Sequence, residues 1–334
     1  MAIQTVLGEI KKEQVGLTLM HEHIFMDLRK KFEKTSLEQS DDLVTKDKIQ
    51  LLRQNHRLLK DNLFLADENL AQEELALFRD LGGKTVVHMS NRGMGSNPYA
   101  LQRISEALGI HIVECTGFYT AATHPAYMYE YTAEQMAELF EKDIFEGIDD
   151  TGIKAGIIAE IGTSAVVTDR ELRVLEAAAL AQKRTGAAIS VHIDPWAENG
   201  MQVLQHLEQH HADLSRVIID HVDAVINPAY CRELLKTGAA IEFENFGKNY
   251  QTPGLHFDTD QQRVETIAAL IADGYENQIL LSTDICLKTD LYCYGGGGYG
   301  HIPRTILPLM REYGISDSSI QAMTVGTPGR MLDK

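Results

Sequence analysis

His21, Glu22 and His23 stand side by side in "GLTLMHEHIF", residues 16–25, a stretch whose other residues are mostly apolar. An unpaired polar group in a buried strand costs roughly 2–7 kcal/mol, so three in a row need a reason. On a strand, residues i and i+2 share a face. His21 and His23 therefore project together, and Glu22 points away. Their backbones lie roughly 6–7 Å apart, which lets two imidazoles converge on one cation.

Similar residue types close four other β-branched runs: Glu160 in "KAGIIAEIG", His192 in "AAISVHID", His221 in "RVIIDHVD" and Asp284 in "QILLSTDIC". Four imidazoles and two carboxylates are the types and number that hold two divalent cations, zinc in the first place, with manganese or cobalt also suited. Such a centre lowers the pKa of its bound water to near neutrality and stabilises negative charge developing on a carbonyl or phosphoryl oxygen. Asp284, a ligand of one cation, is placed to accept the proton of the attacking hydroxide. The chemistry expected is hydrolysis of an ester-like bond, with no organic cofactor.

These residues must be brought together by the elements that carry them. Eight strand-like runs can be counted, the four above and those of "GLTLMHEHIF", "KTVVHMS", "HIVECTGFY" and "AAIEFENFG". Amphipathic stretches fall between them. "NLAQEELALFRDLGG" ends on a glycine pair, and Thr132 with Gln135 forms a capping box ahead of a second apolar stripe. "DRELRVLEAAALAQKRTG" and "DQQRVETIAALIADG" also stop at glycine. Strands alternating with helices imply a parallel sheet, and eight such units fit a β/α barrel, an eight-stranded TIM barrel of α/β class. A doubly wound open sheet is the runner-up, but no GxGxxG follows the first strand. Residues 26–63 are long and highly charged and read as an excursion after strand one. No linker divides the chain, so residues 1–334 are expected to form a single barrel domain.

A β/α barrel places its site at the C-terminal ends of the strands. Strand eight closes against strand one, so His21, His23 and Asp284 can share one cation. His192 and His221, on neighbouring strands, can hold the second, with Glu160 bridging the two. His88 is expected to be a core residue, and His56, His206, His210 and His211 to be solvated. The loops after strands seven and eight carry Lys248, Lys288 and Tyr292, which would face an anionic substrate group. Arg92 and Tyr119, after strands two and three, would line another wall. The glycine run 295–298 implies a mobile lid or a close approach of backbone.

Net charge is −17, which repels nucleic acid. No run approaches the length of a membrane span, and no signal-like start is present, so a cytoplasmic protein is expected. Cys115, Cys231, Cys286 and Cys293 form no CxxC pair and read as free thiols. The expected partner is a small ester or lactone; a homodimer is left open.

The motifs "LMHEHIF", "TGIKAGIIAEIGTS", "ISVHID", "VIIDHVD", "FGKNY", "LSTDI" and "GGGGYGHI" resemble the phosphotriesterase family of the amidohydrolase superfamily, over about Gly16 to Arg330. The resemblance implies a barrel, a binuclear zinc-type site and hydrolase activity, with His21, His23, His192, His221 and Asp284 on the family's ligand positions. Many members bridge their metals with a carbamylated lysine on strand four, where this chain has Glu160. Lys154 lies six residues earlier, about 20 Å away along an extended strand, at the opposite end of the barrel. In this the chain is similar to the branch called phosphotriesterase homology proteins. The family includes lactonases, some acting on phosphorylated sugar lactones, and phosphotriester or phosphonate ester hydrolases. A lactonase or carboxylesterase is the first expectation, a phosphoryl ester hydrolase the second, and a non-catalytic metal-binding barrel a remote third.

Overall fold

The computed structural model describes residues 2–32, 40–249, 251–252 and 255–334. Part of the excursion after strand one (33–39) and Tyr250, Pro253 and Gly254 of the loop after strand seven lie outside the described residues. Eight parallel strands follow one another in chain order around the sheet: β1 Leu17–Glu22, β2 Gly83–His88, β3 His111–Thr116, β4 Ile157–Gly162, β5 Ile189–His192, β6 Val217–Ile219, β7 Ala240–Phe243 and β8 Ile279–Leu281. This is the TIM barrel expected from the alternation of strand and helix signals.

Helices α1 Glu68–Asp80, α2 Pro98–Leu108, α3 Ala133–Phe145, α4 Asp169–Thr185, α5 Gly200–Gln209, α6 Pro228–Lys236 and α7 Asp260–Ala272 fall between successive strands. Their starts follow local chemistry. Thr132, Thr168 and Thr259 each cap the third backbone N–H of their helix, with a Gln or Glu reaching back to the cap. Strand residues alternate between two cores. Leu19, Val86, Ile112, Ile189, Ile219 and Ile241 face the helices. Met20, Val87, Val113, Ile157, Ala188, Ile218, Ala240 and Leu280 fill the barrel interior. The interior core also takes in Ile3, from an N-terminal hairpin of Ala2–Thr5 and Gly8–Lys11, and Met331 and Leu332 from the C-terminal helix. The sequence reading did not anticipate that hairpin.

The seam between β8 and β1 is where Glu22 belongs. The His23 N–H donates to the Ile285 carbonyl (3.2 Å), and the Asp284 N–H to that of His21 (3.2 Å). The Glu22 carboxylate, wholly buried, accepts the backbone N–H groups of Thr283 (2.8 Å) and Ile285 (2.9 Å) and the Thr283 hydroxyl (2.6 Å). The middle member of the His-Glu-His triplet therefore helps close the barrel. Among the described residues, no helix is long and apolar enough to cross a membrane. All four cysteines are free thiols.

Candidate metal centre

His21, His23, Glu160, His192, His221 and Asp284 meet at the C-terminal ends of the strands, none more than 7 % exposed. Two of the strands that carry them are irregular. β1 has three residue steps from Leu19 to Glu22 where β2 has two, and β4 has three from Ile158 to Ile161 where β5 has two. Such bulges bend a strand and re-aim its side chains. Glu160, His221 and Asp284 all have positive φ, at 50°, 60° and 44°. Non-glycine residues adopt this conformation at a cost of about 1–3 kcal/mol, and it concentrates at functional sites. Gly162, two residues past Glu160, lets the chain pass. A Cβ there would lie 2.2 Å from the Thr120 nitrogen, on the loop that carries Tyr119.

Glu160 sits between the two histidine groups. One carboxylate oxygen is 3.4 Å from His21 Nε2, and the other 3.2 Å from His192 Nδ1. Asp284 Oδ1 lies 3.4 Å from His23 Nε2 and 3.9 Å from His21 Nε2. His221 Nε2 and His192 Nδ1 approach to 2.5 Å. The ligand atoms of His21, His23 and Asp284, and those of His21, Glu160 and His221, lie within 4.8 Å of one another. Neither ring nitrogen of the fully buried His21 has a hydrogen-bond partner among the described residues. This donor set fits divalent cations.

The electrostatics are those of a site rich in negative charge. Burial opposes protonation of His21, but Glu160, Asp220 and Asp284 outweigh it and raise its pKa well above the ordinary value. Burial pushes His23 down to about 4. A protonated imidazole cannot ligate, so a metal binding at His21 would displace a proton. Burial opposes ionisation of Asp284, yet the adjacent Lys248 ammonium and the histidines hold it well below the usual carboxylate range.

Supporting residues hold the site from beneath. Ser90 hydrogen-bonds His23 Nδ1 at 2.8 Å, and His88, a buried core residue as expected, accepts the Ile24 N–H at 3.1 Å. Glu244 Oε1 accepts the His221 backbone N–H and lies 2.7 Å from His221 Nδ1. Around it lie further carboxylates with no exposed surface. Asp223 is paired with Arg263 (2.8 Å), Asp220 takes the Ser190 hydroxyl, and both Glu242 oxygens lack a hydrogen-bond partner among the described residues. The sequence reading missed this acidic layer. Its signal was present in "IEFEN", where Glu242 and Glu244 are two apart on one strand.

Above these six side chains opens a cavity of about 410 Å³. Tyr119 lines it, with its hydroxyl 3.2 Å from His192 Nε2. Lys248 lines it too, but its ammonium contacts Asp284 directly. Three other residues expected at the substrate are not brought there. Lys288 pairs with Asp61 at 2.6 Å, outside this cavity. Tyr292 is half exposed and lies under the Arg304 guanidinium. Arg92 pairs with Asp143 and Asp149 in a neighbouring cavity. His56, expected to be solvated, lines the ligand cavity with Arg57, because the excursion folds over the barrel mouth. His206 is half buried, its Nε2 3.0 Å from the Leu172 carbonyl, whereas His211 is exposed. In the glycine run, a Cβ on Gly296 would meet the Asp290 carbonyl at 2.1 Å, so a close approach of backbone requires glycine there. Lys154 precedes β4, next to Ala155, whose carbonyl accepts from Lys334. It is thus near the N-terminal hairpin and away from Glu160.

Comparison with known proteins agrees with this architecture. An N-acetyltaurine hydrolase of Dictyostelium discoideum is 36 % identical, over 99 % of this chain and 97 % of its own. A resiniferatoxin-binding protein from Rhodobacter sphaeroides superposes with a TM-score of 0.95 at 32 % identity, covering 99 % of this chain and 95 % of its own. The phosphotriesterase homology protein of Escherichia coli, solved with phosphate in its active site, has a TM-score of 0.82 at 30 % identity, covering 96 % and 99 %. The phosphotriesterase family model matches residues 1–332, and with a ligand-rich barrel mouth of this kind the chain belongs to the phosphotriesterase family of hydrolases.

Proposed function

We propose that this protein hydrolyses the bond between an acyl carbonyl and its nitrogen or oxygen at a two-metal centre, with small N-acyl amides as the first substrate class. The observation that carries the proposal is the convergence of six buried ligand side chains under one cavity. His21, His23 and Asp284 would hold one cation, His192 and His221 the other, and Glu160 would lie between them. Bound divalent cations, zinc fitting this donor set best, supply a water activated near neutral pH and an electrophile for the carbonyl oxygen.

The chain's own residues do the rest. Asp284, ionised and anchored by Lys248, accepts the proton of the attacking water and passes it toward the leaving group. Burial and nearby carboxylates raise the Tyr119 phenol well above its ordinary pKa, so it stays a hydrogen-bond donor. At 3.2 Å from His192 it stands where it can donate to the substrate. Trp196, Phe257, Met26 and Leu28 give the cavity apolar surface for the acyl chain.

Relatives named N-acetyltaurine hydrolase cleave an amide, which supports an amide ahead of the ester or lactone expected from sequence. The same carbonyl chemistry serves esters and lactones, so the two differ in leaving group and fit. The test is turnover by zinc- or manganese-loaded protein of N-acetyltaurine, N-acetyl amino acids, sugar lactones with and without a phosphate, and a phosphotriester. Amide turnover exceeding the others by kcat/KM is expected. Turnover confined to lactones or phosphotriesters would overturn the amide reading.

A further inference from the structure

A separate cavity of about 480 Å³ lies at the glycine run, lined by Gly295, Gly296 and Gly297 together with Arg53, Arg304 and Thr305. None of the six side chains of the candidate metal centre lines it, although Lys248 lines both this cavity and the one above them. The run closes onto its neighbours because side chains are missing. A Cβ on Gly297 would lie 2.8 Å from His301 Cγ. Its carbonyls hold two arginines. Arg53 Nη2 donates to the Gly295 carbonyl (2.9 Å), and Arg304 Nη2 to the Gly297 carbonyl (2.7 Å). These acceptors are two residues apart, at most about 7 Å along the chain, so both guanidiniums come to one place. Arg304 also lies over the Tyr292 ring, 4.6 Å from its centroid, which fixes the guanidinium plane.

Charge makes this cavity informative. The chain carries −17, and two other cavities follow that sign. The cavity above the six side chains sets Arg57 and Lys248 against Glu160, Asp194 and Asp284, and the one beside Arg92 sets that arginine against Glu114 and Asp149. At the glycine run the balance is reversed, with Arg53, Lys248 and Arg304 against Asp290. Asp290 accepts the backbone N–H of Leu287 at 3.0 Å. Among the described residues, neither Arg53 nor Arg304 is paired with a carboxylate. Each gives one nitrogen to the run, and a guanidinium has five N–H donors, so most of each fork is left for another acceptor. Such forks match the oxygens of a phosphate group, which carries about −1.5 to −2 at pH 7 as a monoester. Three cations suit that charge better than the single charge of a carboxylate. The volume is that of a small-molecule site and has room for more than the bare ion.

We propose that this cavity binds a phosphate group, held by the guanidiniums of Arg53 and Arg304 with Lys248 adding charge. The site stands whichever bond the candidate metal centre cleaves. The phosphate compound is a ligand there and not a substrate, because no side chain of that centre lines the cavity. Lys248, which also contacts Asp284, leaves one side chain between the two sites.

The test is calorimetric titration of metal-loaded protein with glycerol 3-phosphate, inorganic phosphate and glycerol. Phosphate can also reach the metal centre, so the signal that counts is the part removed by Thr305→Glu and kept by Thr305→Gln. Thr305 is exposed and lines the cavity, so a carboxylate there opposes an anion while both arginines stay on the run. Metal content and circular dichroism of each variant are checked against wild type first. Wild type is expected to bind glycerol 3-phosphate and not glycerol, more weakly as salt rises. Thr305→Glu should weaken that binding at least about 10-fold. Arg53→Gln and Arg304→Gln should each weaken it roughly 10- to 100-fold, as for loss of a charge-assisted contact. If the arginine variants lose structure, the Thr305 pair decides. Tighter binding of glycerol 3-phosphate than of inorganic phosphate upholds the site and names a small phosphomonoester as its occupant. Binding of inorganic phosphate as tight or tighter upholds it with the free ion as occupant. Binding of both compounds that Thr305→Glu leaves unchanged, or no binding by wild type, overturns the inference.

Discussion

Replacing Glu244 by glutamine separates the site's chemistry from its folding energetics. One Glu244 oxygen accepts the His221 backbone N–H and lies 2.7 Å from His221 Nδ1. It thereby fixes the tautomer that turns Nε2 toward the other ligands. Glutamine keeps the shape and an acceptor oxygen but loses the charge. Charge-assisted contacts contribute about 1.5–3 kcal/mol and neutral ones about 0.5–1.5, so the backbone hydrogen bond and the Nδ1 ion-pair contact lose roughly 2–3 kcal/mol together. At about 1.4 kcal/mol per tenfold, that is roughly 30- to 150-fold in affinity for the cation at His192 and His221. Burial, and then Asp223, Glu242 and Asp220, raise the Glu244 pKa well above the ordinary value, which moves the expectation to the lower end. We expect a 10- to 30-fold loss, measured by chelator competition. Stability of the metal-free protein should move the opposite way. A neutral amide replaces one of four buried carboxylates, Asp220, Asp223, Glu242 and Glu244, so the metal-free melting temperature should rise. Unchanged affinity, or a fall in both quantities, would refute the reasoning, because a residue with a merely structural role moves both together.

Elemental analysis of protein purified without chelator should find two divalent metals per chain; a reproducible value of one after supplementation would count against the binuclear centre. Glu160→Gln should lose one equivalent, and reconstitution of wild type should be insensitive to bicarbonate, since a carboxylate needs no carbamylation. Lys248 lowers the Asp284 pKa, so Lys248→Met should shift the acid limb of the kcat/KM profile to higher pH; an unmoved limb would sever the two residues. Burial raises Glu114 to about 8 from an ordinary 4.5. Below 4.5 both states hold its proton; between 4.5 and 8 only the folded state does, so its contribution to stability is lost as pH rises through that window. Glu114→Gln should therefore gain melting temperature over wild type progressively from pH 5 to 8, and a pH-independent difference would show that Glu114 is already ionised in the fold.

The barrel and the meeting of six His, Glu and Asp side chains at its mouth were legible because each rests on local rules. Period-2 apolar runs, the capping box at Thr132 and glycine stops give the alternation, and the alternation leaves few topologies. His21 and His23 share a face because side chains two apart on a strand do, and the bulge between Leu19 and Glu22 re-aims that face. Glu160, His192, His221 and Asp284 could be placed near them from sequence because barrel strands end on one face. What lies around the ligands was decided by tertiary structure. Lys248 and Lys288 have the same charge and both follow late strands, yet one meets Asp284 and the other Asp61. Asp61 belongs to the excursion after β1, more than two hundred residues away in the chain, and no local pattern reports where that segment packs. The same segment brings Arg57 and His56 to the cavity mouth. The surroundings of Glu160 and Asp284 are likewise set by the bulge in β4 and by the closing seam, where Glu22 on the first strand takes the backbone N–H groups beyond the last. Sequence determines which strand-end side chains reach the mouth of the barrel; what each of them meets there depends on contacts between segments distant in the chain.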